Sequence, residues 1–551
     1  MLSHLSNDDG SPLPPIRIEA GSHGPASDLP REELHRLACA TGAFFRRLGV
    51  AAGDRVVTFL PTGRPLLQSI FGAWAAGAVI SVLAPAVDGG RSTLSIDVVR
   101  SMLTIAEPKV VVLAETDRSA LSSLVREIGA HAVFIDDLPT EGSGDEPHHP
   151  RPDEAALIQF TSGSTGVPKG VVVEHGQLVE NANSIADRTS FLPSDCFVSW
   201  LPIHHDFGFV VGLIMPIVRQ ARQILIPTET FTRNPLIWPR ALSDHRATHT
   251  GAPPSGAAIV CRPTFANRCR DLDLTALRAL CLGAEPISIG TCRDFEAAFT
   301  SQGLAPGVVC TAYGMAEATL GISVGAAGEE LRIAHVDRTG FHTRGEIEFV
   351  PGDARDALPL VANGRPLPDV RVRILADDGR ELAEGRQGRI VVSSPMVTRR
   401  YFGSDEDPQP GGWFDTGDLG FLLDGEVYVT GRSKDVIIRN GVNMPAHLIE
   451  EAVLRRFPDR IGRAVAFSVP SERDLRDEVV VAVEPRRAGG DQGFATTVRA
   501  AVLDELNFAI DRVEVLPKGS IPRTTSGKLQ RAEARDLYRR GELALGLGEE
   551  V

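Results

Sequence analysis

The segment 157–170 reads LIQFTSGSTGVPKG and leads from an apolar run into a loop of glycines, hydroxyl side chains and one lysine. Glycines let a backbone approach an anion closely and adopt positive φ. Backbone amides, hydroxyl groups and an ammonium all donate hydrogen bonds to phosphate oxygens. The spacing fits neither G-x-x-x-x-G-K-[ST], nor G-x-G-x-x-G, nor G-x-S-x-G. It predicts a phosphate loop of another kind, formed by Thr161, Ser162, Gly163, Ser164, Thr165, Gly166 and Lys169.

Lysine is scarce in this chain. The 57 basic residues include five lysines, at positions 109, 169, 434, 518 and 528. Lysine is a compact ammonium on a flexible stem, whereas arginine is a wide planar fork. In a chain that otherwise uses arginine, a lysine inside a motif indicates a place where the fork does not fit. Lys169, Lys434 and Lys528 meet that criterion, and we interpret Lys109 and Lys518 as incidental.

Further motifs follow the loop along the chain. They are WLPIHHDFG (200–208), LGAEP (282–286), YGMAEATL (313–320), FDTGDLG (414–420), GRSKD (431–435) and TTSGKLQR (524–531). In content and order they resemble the motifs of the adenylate-forming superfamily, from about residue 30 to residue 535. That superfamily includes acyl-CoA synthetases, the adenylation domains of peptide synthetases, luciferases and fatty acyl-AMP ligases.

The resemblance implies a role in nucleotide binding for each matching position. In the family, the tyrosine of the YGMAE segment stacks on adenine and the aspartate of the TGD segment binds both ribose hydroxyls. The family's magnesium ligand falls on Glu317, and a hard oxygen ligand suits a magnesium-bound phosphate. Many relatives have Thr where this chain has Ala316, and fatty acyl-AMP ligases share the Ala. The implied nucleotide contacts are Gly283, Ala284, Glu285, Tyr313, Gly314, Asp418 and Arg432.

Two lysines and one late segment receive roles from the same resemblance. Lys528 matches the catalytic lysine that inserts between the substrate carboxylate and the α-phosphate, where a narrow ammonium can neutralise two anions. Lys434 matches the hinge between a large and a small domain. Residues 439–445 match a segment that forms part of the thiol acceptor's tunnel after the small domain rotates.

The WLPIHHDFG segment resembles the L-P-x-x-H-D-x-G segment of fatty acyl-AMP ligases, which lies where the acyl pocket meets the acceptor channel. The resemblance implies a catalytic role for His205 and an acyl pocket formed by Trp200, His205, Asp206, Phe207 and Gly208. The apolar run that follows, FVVGLIMPIV, is typical of such a pocket. Taken alone, the His-His-Asp cluster is as well explained by structural hydrogen bonding. A metal site is disfavoured because no third ligand is signalled.

Strand and helix patterns alternate along most of the chain. Residues 31–48 have the apolar spacing of an amphipathic helix, and runs such as DRVVTFL and PKVVVLA are typical of buried strands. After residue 360 the strands become closely spaced, and GFLLDGEVYVTG predicts a hairpin with an Asp-Gly turn. We expect an α/β fold, with layered α/β subdomains and a β-rich subdomain in a large N-terminal adenylation domain, 1–431. A small mobile α+β C-terminal domain, 432–551, would carry the catalytic lysine.

Composition excludes several classes of protein. With 43% hydrophobic and 23% charged residues, the chain is neither disordered nor fibrous. A net charge of −14 without a long basic run argues against general nucleic-acid binding. Seven cysteines without a C-x-x-C pair are interpreted as buried, reduced thiols in a cytoplasmic protein, and the polar N-terminus does not fit a signal peptide. The uncharged stretch 65–87 contains Gln68 and several Gly or Pro positions, which favours a buried helix and strand over a membrane span.

The implied function is activation of a lipophilic carboxylic acid, fatty or specialised, by ATP and Mg²⁺ to acyl-AMP, with release of pyrophosphate. Transfer to a thiol follows, for which the expected partner is an acyl or peptidyl carrier protein or coenzyme A. The motifs LPIHHDFG, YGMAEATL and NGRPLP favour the fatty acyl-AMP ligases. The segment Gly325–Val361 resembles the insertion of those ligases, which is thought to restrict domain motion and to disfavour free coenzyme A.

Other functions stay in competition. The nearest alternative is a complete acyl-CoA synthetase that uses free coenzyme A. An amino-acid-activating domain is disfavoured because the region after Trp200 lacks the F-D-x-S pattern. A nucleotide-binding protein without catalysis is disfavoured by Lys528 and Glu317, and a serine or zinc hydrolase by the lack of G-x-S-x-G and H-E-x-x-H.

Overall fold

The structure is a computed structural model of the 551-residue chain. It describes residues 1–6, 12–21, 24–85, 87–88, 91–92, 96–141, 146–161, 168–344, 346–439, 442–470, 477–486, 493–506, 508–524 and 528–543.

The α-helices of these ranges, α1 to α15 in chain order, are Arg31–Arg47, Arg64–Ala75, Ile96–Ala106, Arg118–Glu127, His175–Arg188, Met215–Val218, Thr228–Arg233, Ile237–Asp244, Pro254–Val260, Pro263–Ala266, Ile289–Phe299, Arg338–Arg344, Ala446–Arg456, Phe494–Leu506 and Arg531–Arg539. The β-strands, β1 to β28 in chain order, are Ile16–Ile18, Ser27–Leu29, Arg55–Thr58, Val79–Val82, Val87–Asp88, Arg91–Ser92, Val110–Leu113, His131–Phe134, Ala155–Thr161, Lys169–Glu174, Cys196–Ser199, Arg222–Leu225, His249–Ala252, Ala279–Leu282, Val309–Gly314, Gly321–Val324, Ile333–Asp337, Ala357–Val361, Arg365–Pro366, Arg371–Leu375, Gly388–Ser393, Phe414–Leu423, Glu426–Arg432, Val436–Arg439, Val442–Pro445, Ile461–Pro470, Asp477–Pro485 and Arg512–Val515.

The chain divides into two compact units. The first comprises Met1–Arg332, Asn363–Arg371 and Val392–Phe414, and the second comprises Ile333–Ala362, Val372–Val391 and Asp415–Val551. The sequence-based boundary between residues 431 and 432 stays a prediction.

The first unit contains two large sheets. One has the strand order β19-β16-β15-β14-β13-β11-β12-β1-β2, and its central strands from β1 to β15 are parallel. The other has the order β10-β9-β4-β3-β7-β8 and is parallel except for β10. Helices alternate with these strands along the chain, which confirms the α/β prediction.

Helices fill the space between the two sheets of this unit. Apolar side chains of α1, α2 and α5 form one hydrophobic cluster with both sheets. Trp74 of α2 donates its indole N–H to the carbonyl of Ala156 at 2.9 Å. A Cβ on Gly72 would lie 2.5 Å from the Thr41 side chain, so this glycine allows α1 and α2 to pack closely. Within the stretch 65–87 the buried helix α2 is therefore followed by the buried strand β4, Val79–Val82, as the composition predicts.

The second unit is built from smaller sheets. It contains most of the sheet β20-β21-β22-β23, the pairs β17-β18 and β24-β25, and the sheet β26-β27-β28. The predicted hairpin joins β22 to β23, and its turn residues Asp424 and Gly425 have φ of +52° and +76°. Two positive φ values characterise the turn that Asp-Gly favours. Helices α13 and α14 form a further core with β26 and β27.

Two expectations from composition concern cysteines and membranes. All seven cysteines are free thiols, and all but Cys261 are buried. In the described ranges no helix has both the length and the apolar character that crossing a membrane requires.

Candidate active site

Three of the predicted site segments lie where parallel strands of the nine-stranded sheet end. Strand β11 ends at Ser199, β14 at Leu282 and β15 at Gly314. Open α/β sheets bind their ligands at the carboxyl ends of their strands. The WLPIHHDFG, LGAEP and YGMAE segments therefore share one edge of this sheet. Tyr313, the predicted adenine-stacking residue, is the last but one residue of β15 and is buried.

The LGAEP segment turns sharply after β14. Ala284 has φ of +71°, in the left-handed region that residues with a side chain rarely adopt. The Glu285 carboxylate accepts hydrogen bonds from the backbone N–H and the hydroxyl of Ser255, both at 2.9 Å. Because Ser255 lies in the first turn of α9, the Glu285 side chain fixes this turn to that helix.

The YGMAEATL segment forms a tight turn after β15. Gly314 leaves no room for a side chain, because a Cβ there would lie 1.8 Å from the carbonyl oxygen of Leu320. Glu317 lies in a short 3-10 turn, and Thr319 behind it has φ of +66° and ψ of −53°. Such a backbone costs about 1–3 kcal/mol and persists where its surroundings fix it. Here the Thr319 hydroxyl donates to the carbonyl of Met396 at 2.8 Å.

A segment from later in the chain, residues 396–402, holds the Glu317 turn. The backbone N–H of Thr398 donates to the Glu317 carbonyl at 2.6 Å. The Thr398 hydroxyl donates to the carbonyl of Val172 in β10 at 2.7 Å. We call residues 396–402 the clamp segment, because it fixes the predicted magnesium ligand relative to the strand that leaves the phosphate loop.

The two ends of the phosphate loop face each other. Strands β9 and β10 pair in antiparallel fashion, with Thr161 opposite Lys169. The predicted phosphate contacts that lie outside the described residues are Ser162, Gly163, Ser164, Thr165 and Gly166.

The Lys169 ammonium has two partners that sequence reasoning missed. Its Nζ lies 2.9 Å from Oε2 of Glu406 and 4.6 Å from the centroid of the Tyr401 ring. Tyr401 is buried, and this burial, followed by the charges of Glu317 and Glu406, raises the pKa of its hydroxyl. Tyr401 is therefore a neutral phenol at physiological pH.

The WLPIHHDFG segment leads into a π-helix, Gly208–Ile214. Extended π-helices are rare and occur frequently at functional sites. A Cβ on Gly208 would lie 2.0 Å from the carbonyl oxygen of Pro202, so this predicted pocket residue must be glycine. The side-chain amide of Gln223 donates to the Gly212 carbonyl at 2.7 Å and so stabilises the wider helix.

His204, which precedes the predicted His205, is a further candidate residue. Its Nε2 atom is buried and has no hydrogen-bond partner in the described part of the chain. Burial, and then the neighbouring His205, lower the pKa of His204 well below its usual value, so its imidazole is neutral. The His204 carbonyl accepts a hydrogen bond from Gln159 of β9 at 2.9 Å. This contact ties the motif to the strand that enters the phosphate loop, and a catalytic role for His205 stays a prediction.

The aromatic side chains of the predicted acyl pocket pack in different places. Trp200 stacks on Phe231 with ring centroids 3.7 Å apart, in the cluster that includes α8, α9 and α11. The Phe207 ring lies against Gly251 of β13, where a Cβ would be 3.0 Å from the ring. The carboxylate of Asp206 accepts a hydrogen bond from the Phe207 backbone at 2.7 Å.

In the second unit, Asp418 and Arg432 are opposite each other on β22 and β23. Their side chains are joined by an ion pair of 3.2 Å, in which Asp418 is 7% exposed and Arg432 is 55% exposed. The Asp418 backbone N–H also donates to the hydroxyl of Thr416 at 3.1 Å. The pair presents a fixed carboxylate beside an accessible guanidinium, groups that suit ribose hydroxyls and phosphate.

Lys528 lies in a turn that is held by its backbone. The Thr524 N–H donates to the Lys528 carbonyl at 2.8 Å, and the Lys528 N–H donates to the Thr524 hydroxyl at 3.1 Å. Residues 525–527 lie outside the described residues. The described contacts of this turn use the backbone of Lys528, and the catalytic role of its side chain stays a prediction.

An ion network lies next to the predicted hinge. Lys434 is exposed in the 3-10 turn that ends at Asp435. The Asp435 carboxylate accepts from Arg531 at 2.9 Å, and Arg531 also donates two hydrogen bonds, of 2.8 and 2.6 Å, to Glu450. Glu450 accepts a further bond from the backbone of Ala466 at 3.0 Å. The network joins the first residue after the predicted hinge to the start of α15.

The described residues contain no group of three or more His, Cys, Asp or Glu that could hold a metal ion. Magnesium in nucleotide enzymes is usually bound by one or two carboxylates together with substrate phosphates. A single carboxylate on a fixed turn, as at Glu317, fits that set of donors.

The chain matches the family described as AMP-binding enzyme over residues 27–402. It therefore belongs to the AMP-binding enzyme family. This result confirms the resemblance to the adenylate-forming superfamily that the motifs indicate.

The proteins that resemble this chain over nine-tenths of its length include acyl-activating ligases. The chain is 31% identical to a Caulobacter vibrioides protein provisionally named an acyl-CoA synthetase, over 93% of this chain and 91% of that protein. It is 29% identical to the medium-chain-fatty-acid–[acyl-carrier-protein] ligase JamA of Moorena producens, over 90% and 87%. A solved structure from a study of fatty acyl-adenylate ligases of E. coli and L. pneumophila is 28% identical, with a TM-score of 0.88 and 98% of each chain covered. The likeness to fatty acyl-AMP ligases is thus confirmed.

Proposed function

We propose that this enzyme converts a lipophilic carboxylic acid and ATP to acyl-AMP and pyrophosphate, and then passes the acyl group to a thiol, as on a carrier-protein phosphopantetheine. The observation that carries the proposal is the whole-length similarity to acyl-AMP-forming ligases. The fixed turn that presents Glu317 beside the strand that leaves the phosphate loop supports it.

In the proposed reaction the substrate carboxylate attacks the α-phosphorus of ATP, and pyrophosphate leaves in line. The acid is already ionised at neutral pH, so the step needs positioning and charge neutralisation rather than a general base. Lys169 would bind the phosphates, and Lys528 would contact both the carboxylate and the α-phosphate. Tyr313 would stack on adenine, and Asp418 would bind the ribose. Mg²⁺, held by Glu317 and the ATP phosphates, would neutralise further phosphate charge.

The acid would lie near the π-helix. The carboxyl end of β11 and the buried apolar residues of the π-helix and its continuation would form the walls of the acyl pocket. The neutral imidazole of His204, in the same segment, would not compete for phosphate as a cation. A direct role of His205 at the junction with the acceptor channel is part of the proposal.

The choice of acceptor depends on the segment 325–361. Its strands β17 and β18 pair with each other, and Ala334 packs with Phe421 and Tyr428 of the β22–β23 hairpin. Helix α12, between these strands, contacts β25. The hairpin precedes Lys434 and β25 follows it, so rotation at Lys434 would disturb the contact between α12 and β25. This arrangement supports a restricted rotation, and hence a carrier protein rather than free coenzyme A.

We place the enzyme in the cytoplasm, where its seven free thiols would stay reduced.

Product analysis by mass spectrometry tests the proposal. The purified chain is incubated with Mg-ATP and a panel of fatty and cyclic acids, alone, with coenzyme A, and with a phosphopantetheinylated carrier protein. Acyl-AMP that persists with coenzyme A but is consumed by the carrier protein is the expected result. Conversion to acyl-CoA would favour the alternative, a complete acyl-CoA synthetase, for which the relative from Caulobacter vibrioides is the specific observation. Absence of acyl-AMP and of ATP–pyrophosphate exchange with every acid would refute the proposal.

A further inference from the structure

The Lys169 ammonium is held by two side chains of a single short segment. Glu406 contributes a carboxylate oxygen 2.9 Å from Nζ, and Tyr401 contributes a ring whose centroid is 4.6 Å away. A cation at that distance is attracted by the ring face. We call Tyr401 and Glu406 the lysine seat.

The two halves of the lysine seat differ in how firmly they are placed. Tyr401 is buried and forms a β-bridge with Val171, and the neighbouring Phe402 N–H donates to the Gly170 carbonyl at 2.7 Å. The ring is therefore fixed on β10. The carboxylate of Glu406 is 58% exposed and the Lys169 side chain is 36% exposed. An ion pair this open to water contributes little and can be exchanged for another anion.

Lys169 is the last residue of the predicted phosphate loop and pairs with its first residue, Thr161, so the anion that would replace Glu406 is a nucleotide phosphate. We propose that the ATP phosphates and the Glu406 carboxylate compete for the Lys169 ammonium, while the Tyr401 ring keeps this ammonium at the edge of the site. Glu406 would thus weaken ATP binding, and Tyr401 would be a positioning residue. The inference rests on the proposed role of Lys169 in phosphate binding.

Tyr401 can hold the Lys169 ammonium without competing with phosphate for it. The contact between Tyr401 and Lys169 is made by the face of the ring, which carries no formal charge. The ring attracts the ammonium in either state of the competition. Tyr401→Leu, which removes the ring, should therefore raise the dissociation constant for Mg-ATP about threefold, and Tyr401→Phe, which keeps the ring, should restore it; a Tyr401→Leu variant that binds Mg-ATP as the wild type does would overturn the positioning role.

The test is calorimetric measurement of the dissociation constant for Mg-ATP without acid substrate, on the full chain at low salt. Glu406→Gln should lower this constant about threefold, since an exposed ion pair is worth a factor of a few. The neighbouring Asp405→Asn is the matched control, because it removes the same charge from an exposed position that does not contact Lys169 within the described residues, and it should change the constant by less than half as much. High salt should shrink the effect of Glu406→Gln, because salt screens exposed charges.

Lys169→Met separates the inference from the proposed function. If Lys169 binds phosphate, Lys169→Met raises the dissociation constant, and Glu406→Gln has no further effect in that background. A Lys169→Met variant that binds Mg-ATP as the wild type does would overturn the role of Lys169 and the inference with it. If Lys169→Met weakens binding but Glu406→Gln leaves the constant unchanged, raises it, or acts equally in both backgrounds, the competition alone is overturned.

Discussion

Replacement of Arg531 by Met should destabilise the second unit specifically. Arg531 donates two hydrogen bonds to Glu450 and one to Asp435, and the Glu450 side chain is 5% exposed. Without the guanidinium, the buried carboxylate of Glu450 would lose its cationic partner and keep only uncharged ones such as the Ala466 N–H. Breaking a buried ion pair on one side costs about 3–5 kcal/mol. We expect about 3 kcal/mol, the lower end of that range, because Arg531 keeps 20% of its side chain exposed.

The pH dependence of this loss follows from Glu450. Burial already raises the pKa of Glu450, although Arg531 opposes the rise. In Arg531→Met the pKa should rise further, so the folded state would hold a proton that the unfolded state releases above about pH 4.5. The stability of the variant should then fall relative to wild type as pH increases from the raised folded-state pKa of Glu450 in the wild type to its higher pKa in the variant.

Hydrogen exchange measured by mass spectrometry can locate the effect. A loss of about 3 kcal/mol corresponds to about a hundredfold faster exchange in α13, α15 and β26 where these open together. All four tryptophans, at 74, 200, 238 and 413, lie in the first unit, so tryptophan fluorescence should report an unchanged unfolding transition there. Arg535→Met is the control, since it makes the same change on the same helix at a more exposed arginine.

A double variant makes the argument falsifiable. Glu450→Gln combined with Arg531→Met removes the unpaired charge but retains an acceptor for the Ala466 N–H. It should therefore recover most of the lost protection. If Arg531→Met exchanges no faster than Arg535→Met, or if the double variant is less stable than the single one, the reasoning about the buried pair is wrong.

Three further predictions concern chemistry and pH. Lys528→Ala should abolish ATP–pyrophosphate exchange but keep nucleotide binding, because the described contacts of its turn use the backbone; near wild-type exchange would rule out its proposed role. Glu317→Gln should shift the Mg²⁺ titration of adenylation to higher concentration and lower the rate, and an unchanged titration would contradict its assignment as a ligand. His175 is buried against Trp74, and burial lowers its pKa to about 3. The folded state thus favours the neutral ring, so the free energy of unfolding should fall by about 1.4 kcal/mol per pH unit as pH drops from about 6 to 4. Urea unfolding followed by tryptophan fluorescence measures this free energy, and its slope against pH should be shallower for His175→Phe.

Local patterns predicted the elements of the fold well. The apolar spacing of residues 31–48 corresponds to α1, Arg31–Arg47, and the Asp-Gly pair corresponds to the turn between β22 and β23. Both signals are contained within a few residues, so no knowledge of distant neighbours is required. The motifs were recognised from the family resemblance, whereas their places at the ends of β14 and β15 come from the structure. The roles of their side chains remain predictions.

Contacts between segments that are distant in the chain could not be predicted from local sequence patterns. Glu406 is 237 positions from Lys169, and Arg531 is 81 positions from Glu450. Neither Tyr401 nor Glu406 lies in a motif that suggests phosphate chemistry. A single tyrosine or glutamate outside a motif carries no distinctive sequence signal. The burial of the His204 Nε2 atom could not be predicted either, because the two neighbouring histidines look alike in the sequence. The scarcity of lysine was the one clue, since it marked Lys169 as a residue whose surroundings would be informative.

The predicted catalytic groups fall on both units, and each set is fixed within its own unit. Glu317 and Lys169 are linked through the clamp segment and β10 in the first unit. Asp435 is linked to α15, which begins three residues after Lys528, through Arg531 in the second unit. The family resemblance implies a hinge at Lys434, which lies inside the second unit between Asp418 and Lys528, so the rate of adenylation should depend on backbone motion there. A substitution that stiffens residue 434, such as Lys434→Pro, should then separate the two half-reactions, changing acyl-AMP formation and thiol transfer by different factors in single-turnover assays, while a uniform loss of both would place control elsewhere.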